Sequence, residues 1–165
     1  MNQQLIDKLS ELISENRRKK FDEVLKYRTR HITIVLEDIY QPHNASAVLR
    51  SCDIFGIQDV HIIENKNTYT VNPDVALGAS KWLSLHKYRK EENNTLSCLQ
   101  ALKEKGYTIA ATSLHEKSCS IEELPVDQPV ALVFGTELTG ISDVVKKQAD
   151  RFVKIPMYGF TESFN

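Results

Sequence analysis

Cysteine is scarce in this chain. Cys52, Cys98 and Cys119 are its only thiols, odd in number, widely separated and without C-x-x-C or Cys/His ligand spacing, which argues against both a disulfide framework and a zinc site. Glycine is sparse as well, with six residues in 165, and no G-x-G-x-x-G occurs. The usual Rossmann dinucleotide site is therefore disfavoured, and so is the common Rossmann-like methyltransferase site. The G-x-S-x-G elbow of serine hydrolases is missing too, and the five histidines (His31, His43, His61, His86, His115) share no metal spacing, so no metal is expected. No apolar run approaches the length of a membrane span. The N-terminus "MNQQLIDKLSELISENRRKK" is polar and amphipathic, without the apolar core of a signal peptide, so a cytoplasmic protein is expected. A net charge of −1 rules out a uniformly basic coat.

What charge there is lies unevenly. Residues 16–30, "NRRKKFDEVLKYRTR", carry seven cations (Arg17, Arg18, Lys19, Lys20, Lys26, Arg28, Arg30) against Asp22 and Glu23. Such an arm is the footprint of phosphate-backbone binding, although a solvated helix face reads the same way. The length suits one domain with a real core. Beyond the arm, apolar runs alternate with segments of helical period. Strands are expected at 31–39, 59–63, 83–88, 107–113, 130–134 and 151–156, and helices at 44–55, 73–81, 92–105 and 140–149. The Val- and Ile-rich runs are those of buried parallel strands. The class is therefore α/β with a largely parallel sheet, whose ligands gather at the carboxyl ends of the strands.

Three loops leave such ends: "YQPHN", "GTELTG" and "PMYGFTESFN". In "HNASAVLRSCDIFG" a helical wheel puts Ala45, Val48, Leu49, Cys52 and Phe55 on one face, toward the sheet. Ser46, Arg50 and Asp53 fall on another, where Arg50 and Asp53 have ion-pair spacing. Asn44 stands where an N-cap is expected. Yet a helix starting at a strand's carboxyl end also favours an anionic ligand, and Asn44 and Arg50 would face it. In "FGTELTGIS", Gly135 and Gly140 flank Glu137 and permit tight turning and close approach to backbone. The Lys and Ser/Thr of a P-loop are missing there. Trp82, in "GASKWLSLHKY", is expected between helix and sheet.

The order and spacing of "N-x-S-A-x-x-R" (Asn44–Arg50), "F-G-x-E-x-x-G-I-S" (Phe134–Ser142) and "I-P-M-x-G-x-x-x-S-x-N" (Ile155–Asn165) resemble the three signature motifs of the SpoU class of SPOUT RNA 2′-O-ribose methyltransferases. The likeness runs over nearly the whole chain. It implies a parallel-sheet SPOUT fold with a C-terminal deep trefoil knot, an exception to the usual absence of knots, preceded by N-terminal helices. It further implies a homodimer using S-adenosylmethionine. By position, Thr112, Leu114, Gly135, Ile155, Met157 and Phe164 would hold that cofactor, while Asn44, Arg50, Glu137, Ser163 and Asn165 match the catalytic polar set. Residues 1–30 become a basic extension whose Arg17, Arg18, Lys19, Lys20, Arg28 and Arg30 would contact RNA. Residues 31–165 become the methyltransferase domain, expected to be cut short because members of the class continue past the motif-three asparagine into an apolar helix. With only about 30 residues before the first strand, tRNA is the expected substrate, at a guanosine of the D-loop. The alternatives are a ribosomal RNA substrate or a non-catalytic RNA-binding module.

Overall fold

The computed structural model describes residues 3–114 and 117–160. His115, Ser163, Phe164 and Asn165 lie outside the described residues. Two helices, α1 (Gln3–Ser10) and α2 (Glu15–Leu25), precede β1 (Ile32–Glu37), α3 (Pro42–Ile54) and β2 (Asp59–Ile63). Then follow α4 (Pro73–Ala76), β3 (Ser84–Tyr88), α5 (Asn94–Glu104), β4 (Thr108–Thr112) and β5 (Cys119–Ser120). The described elements end with β6 (Val130–Phe134), α6 (Asp143–Gln148) and β7 (Arg151–Lys154). The strands form one sheet in the order β3-β2-β1-β6-β4-β7-β5, and every neighbouring pair is parallel. The α/β reading is met. The two-residue β5 escaped it, since so short a strand exists only through its pairing with β7.

Alternation along the strands sends odd and even residues to opposite faces. Val35, Ile63, Ile109, Ala111, Ala131 and Val133 pack on Cys98, Leu99 and Leu102 of α5 and Val145 of α6. On the other face Ile34, Leu36, Val60 and Ile62 pack on Ala45, Leu49 and Cys52 of α3. Leu49 and Leu99 are fully buried, and truncating a leucine of this kind to alanine costs about 2–5 kcal/mol.

The helix expected over 73–81 is broken. α4 stops at Ala76, Leu77 turns into the left-handed region (φ 47°), and a 3-10 turn covers Ala79–Lys81. Trp82 is not sandwiched between helix and sheet. It is half exposed and packs against Phe21 of α2, ring centroids 5.7 Å apart, because α2 folds back along this side.

Chain direction diverges at the centre of the sheet. β1 leads through α3 to β2 on one side, whereas its neighbour β6 leads through α6 to β7 on the other. The carboxyl ends of β1 and β6 thus form a topological switch point, the place where open parallel sheets bind ligands.

Candidate active site at the switch point

Helix α3 starts earlier than its sequence suggests. Gln41 is the N-cap and Pro42 the first helical residue, a position where proline's fixed φ and missing N–H cost nothing. Asn44 is therefore not the N-cap but lies inside the first turn. Its side-chain Nδ2 instead donates to Glu137 Oε1 at 2.9 Å, across 93 residues of sequence.

Glu137 receives more than this one bond. Burial works against its charge, but its own backbone N–H, the Asn44 amide and the backbone N–H groups of Tyr40 and Gln41 outweigh that effect and hold the carboxyl below its usual range. A carboxylate gripped by several donors stays ionised. Glu137 thereby ties the loop after β6 to the loop after β1.

The remaining polar face of α3 also differs from the helical wheel. Asp53 does not pair with Arg50; it accepts from Arg28, whose side chain is only 11% exposed and also donates to the Ile57 carbonyl. Ser46 is buried, donating to the Pro42 carbonyl at 2.6 Å and accepting from the Asn72 backbone N–H at 2.8 Å. Phe55, just past the helix end, is 77% exposed rather than packed on the sheet. The Arg50 side chain is left exposed, with no hydrogen bond or ion pair to any described residue. A guanidinium without a partner among the described residues, about 1.7 helical turns from Asn44, is free for an anionic substrate.

The loop "GTELTG" closes on itself. Thr136 and Gly140 exchange backbone hydrogen bonds at 2.9 Å, and Gly140 adopts φ 68°. A Cβ on Gly135 would sit 2.2 Å from the Gly140 carbonyl group, so this glycine is required by the loop's own closure. Ser142 ends the motif and caps α6, its Oγ accepting from the Val145 backbone N–H.

The expected cofactor positions on three loops fall side by side. β6, β4 and β7 are adjacent in that order, so Gly135 just past β6, Thr112 and Leu114 at and beyond the end of β4, and Ile155 and Met157 beyond β7 line one edge of the sheet. Leu114 and Ile155 expose 64% and 49% of their surface there. Apolar side chains held open at strand carboxyl ends suit the faces of a nucleoside, so these residues fit S-adenosylmethionine.

Of the expected RNA arm, Arg17, Arg18, Lys19 and Lys20 lie exposed on α2. Lys19 and Lys20 make solvent-exposed pairs with Glu15 and Glu23, which weakly restrain them. Arg28 and Arg30 belong elsewhere: they pair with Asp53 and Asp59 near the opposite, amino edge of the sheet. Arg28 is a packing residue, because a nearly buried guanidinium needs its carboxylate.

Sequence reasoning missed Glu37 at the end of β1 and Asp38 just beyond it. Glu37 and Asp38 are buried carboxylates, and the signal for them was two acids ending an otherwise apolar strand. Behind the motif-two loop lies a cleft of about 850 Å³ bordered by Glu37, Tyr40, Gln41, Thr95, Glu137 and Ser142 among others. Among the described residues, no cluster of His, Cys, Asp and Glu could hold a metal ion, and no helix is long and apolar enough to cross a membrane.

An all-parallel α/β sheet with polar loops crossing at its switch point is one frame for group transfer, and residues 31–165 match the family model described as "SpoU rRNA Methylase family". The chain belongs to this SpoU methylase family. It is 49% identical over 157 residues to a tRNA (guanosine(18)-2′-O)-methyltransferase of Borreliella burgdorferi, spanning 95% of this chain and 70% of that protein. The crystal structure of the Aquifex aeolicus TrmH/SpoU tRNA modifying enzyme superposes with a TM-score of 0.81 at 30% identity, covering 92% of this chain and 75% of that one. The fold is also shared with the SpoU methyltransferase AviRb of Streptomyces viridochromogenes in complex with AdoMet, at TM-score 0.69 and 20% identity over 87% of this chain and 57% of that one.

Proposed function

We propose that this protein transfers a methyl group from S-adenosylmethionine to a ribose 2′-hydroxyl of tRNA, at a guanosine of the D-loop. The observation that carries the reading is Arg50, whose side chain is exposed and unpaired among the described residues, on the helix whose first turn Glu137 pins through Asn44. The names of the relatives support both tRNA and guanosine 18.

When bound, S-adenosylmethionine supplies an electrophilic methyl on a sulfonium. The 2′-hydroxyl is a poor nucleophile until its proton leaves or its developing charge is stabilised. Arginine stays protonated and is no base, so Arg50 holds the ribose and an adjacent phosphate and stabilises alkoxide character, while that phosphate or another group accepts the proton. Glu137 keeps the end of α3 in register through Asn44. Ser163 and Asn165 complete the polar set, and Phe164 the cofactor set, in this reading. Residues 1–30 serve as a basic extension whose Arg17–Lys20 face contacts the tRNA backbone, and residues 31–165 as the methyltransferase domain. The homodimer, the trefoil knot and the cytoplasmic setting belong to the same proposal, on the strength of the family likeness.

The test is mapping of 2′-O-methyl groups in tRNA incubated with the protein and S-adenosylmethionine. Methylation at the D-loop guanosine is expected. Absence of any methylated ribose, with cofactor and tRNA both bound, would leave the RNA-binding module as the correct reading.

A further inference from the structure

Glu37 is only 2% exposed, and such a carboxylate is costly to bury unless donors surround it. Its Oε1 accepts from Thr95 Oγ1 and from Ser142 Oγ, both at 2.7 Å, and its Oε2 accepts from the Ser142 backbone N–H at 2.9 Å. Thr95 lies in the first turn of α5 and Ser142 caps α6. The network runs on, because Thr95 Oγ1 accepts from Asn65 Nδ2 at 2.8 Å while Asp38 accepts from the Asn65 and Lys66 backbone N–H groups.

The arrangement is reciprocal. A carboxylate at the end of β1, Glu37, grips the last residue of the loop after β6. A carboxylate in that same loop, Glu137, grips the first turn of α3 through Asn44, and the Tyr40 and Gln41 backbone N–H groups of the loop after β1 favour its charge. The two loops that diverge at the switch point are thus pinned to one another from both sides.

We infer that Glu37 is a positioning residue for the proposed methyl transfer: by clasping Ser142 it fixes the motif-two loop, and through Glu137 it fixes the Asn44 end of the helix that carries Arg50. The inference rests on the proposed function for its kinetic readouts but not for its conformational one. A carboxylate suits the place because all three groups that meet it donate. Glutamine keeps the shape but turns one acceptor into a donor, and so faces either a hydroxyl already used as an acceptor or the Ser142 N–H.

The test compares Glu37→Gln with wild type and with Leu102→Val, a mildly destabilising change in the α5 core, at a temperature where all three are folded. Amide hydrogen exchange is read at Ser142 and Gly140 and, across the clasp, at Tyr40 and Gln41. Titration calorimetry with S-adenosylmethionine, tRNA binding and kcat are measured alongside. In Glu37→Gln, exchange is expected to speed up at least tenfold at Ser142 and at Tyr40–Gln41. Cofactor affinity and kcat should each fall at least fivefold, with tRNA binding within twofold of wild type. Leu102→Val should show none of these losses. Faster exchange confined to Ser142, or cofactor affinity and kcat within twofold of wild type, would overturn the positioning role. If wild type itself neither binds S-adenosylmethionine nor methylates tRNA, the proposed function fails, and the exchange at Tyr40–Gln41 still decides whether the clasp exists.

Discussion

Asn44 Nδ2 donates to Glu137 Oε1 at 2.9 Å, joining the first turn of α3 to the loop after β6. The bond joins two distant sequence motifs, and the Tyr40 and Gln41 backbone N–H groups further favour the charge of the same carboxylate. A hydrogen bond to a charged acceptor contributes about 1.5–3 kcal/mol. Asn44→Ala and Glu137→Gln are each expected to lower kcat at least tenfold, and a double-mutant cycle read by urea unfolding should show a coupling of about 1 kcal/mol or more. Additive effects would mean that the pair does not act as a unit.

Arg50 and Asp53, three residues apart, are predicted to behave as unrelated sites. Arg50→Ala should abolish turnover while changing stability by less than about 0.5 kcal/mol, as for other exposed, unpaired positions. Asp53→Ala strands the nearly buried Arg28 and should cost about 2–4 kcal/mol, with residual folded enzyme turning over normally. Steady-state kinetics beside chemical denaturation separates the two outcomes.

Gly135→Ala places a methyl group against backbone, 2.2 Å from the Gly140 carbonyl. Neither partner is a side chain that can swing away. The Thr136–Gly140 turn is expected to open, at about 1–3 kcal/mol, and S-adenosylmethionine binding to vanish in calorimetry. Gly78→Ala meets no neighbouring atom and, despite its strained φ, should leave cofactor binding intact.

His61 is predicted to set the acid limit of stability. Its ring is buried, stacks on His86 with centroids 4.7 Å apart, and shares a hydrogen bond with the Tyr88 hydroxyl. Burial first, then the charge of His86, push its pKa down from 6.5 to about 4, against the opposing pull of Asp59. Between those values the unfolded chain binds a proton that the folded one refuses. Stability should therefore decline as pH falls from about 6.5 to about 4, by about 3 kcal/mol in all from this group. His61→Phe should flatten that part of a Tm-against-pH curve; an unchanged slope would assign the acid sensitivity to other groups.

The α2 cations are expected to act through phosphates alone. Replacing Arg17, Arg18, Lys19 and Lys20 by glutamine should weaken tRNA binding and reduce the slope of log K against log salt by about 2–4 units, at roughly 0.7–0.9 for each phosphate no longer neutralised. Cofactor affinity should not move. Unchanged tRNA binding would identify this face as a solvated helix surface.

Helices and strands that bury a continuous stripe are legible from the sequence. β1, β2, β6 and α5 are found within a few residues of expectation, because hydrophobic periodicity is a local property of the chain. Errors collect where a long-range partner decides. Asp53 has the spacing of a partner for Arg50, but Arg28 reaches it from 25 residues upstream. Trp82 has the look of core, but α2 folds over it and leaves it half exposed. The start of α3 is displaced because Pro42, which reads as loop, serves as the first helical residue. Glu37 goes unnoticed because an acid at a strand end gives no hint of three donors converging from α5 and α6.

The sequence by itself determined the α/β class, the parallel character of the sheet and the identity of the motifs, since alternation and residue spacing are written along the chain. Only the tertiary structure decided which polar groups meet. The order of strands brings β1 beside β6, nearly a hundred residues later, and there the reciprocal carboxylates of Glu37 and Glu137 find their donors. Hydrogen bonds reach only about 3 Å, so partners of this kind are set by where the backbone has already been placed, and no local pattern records them.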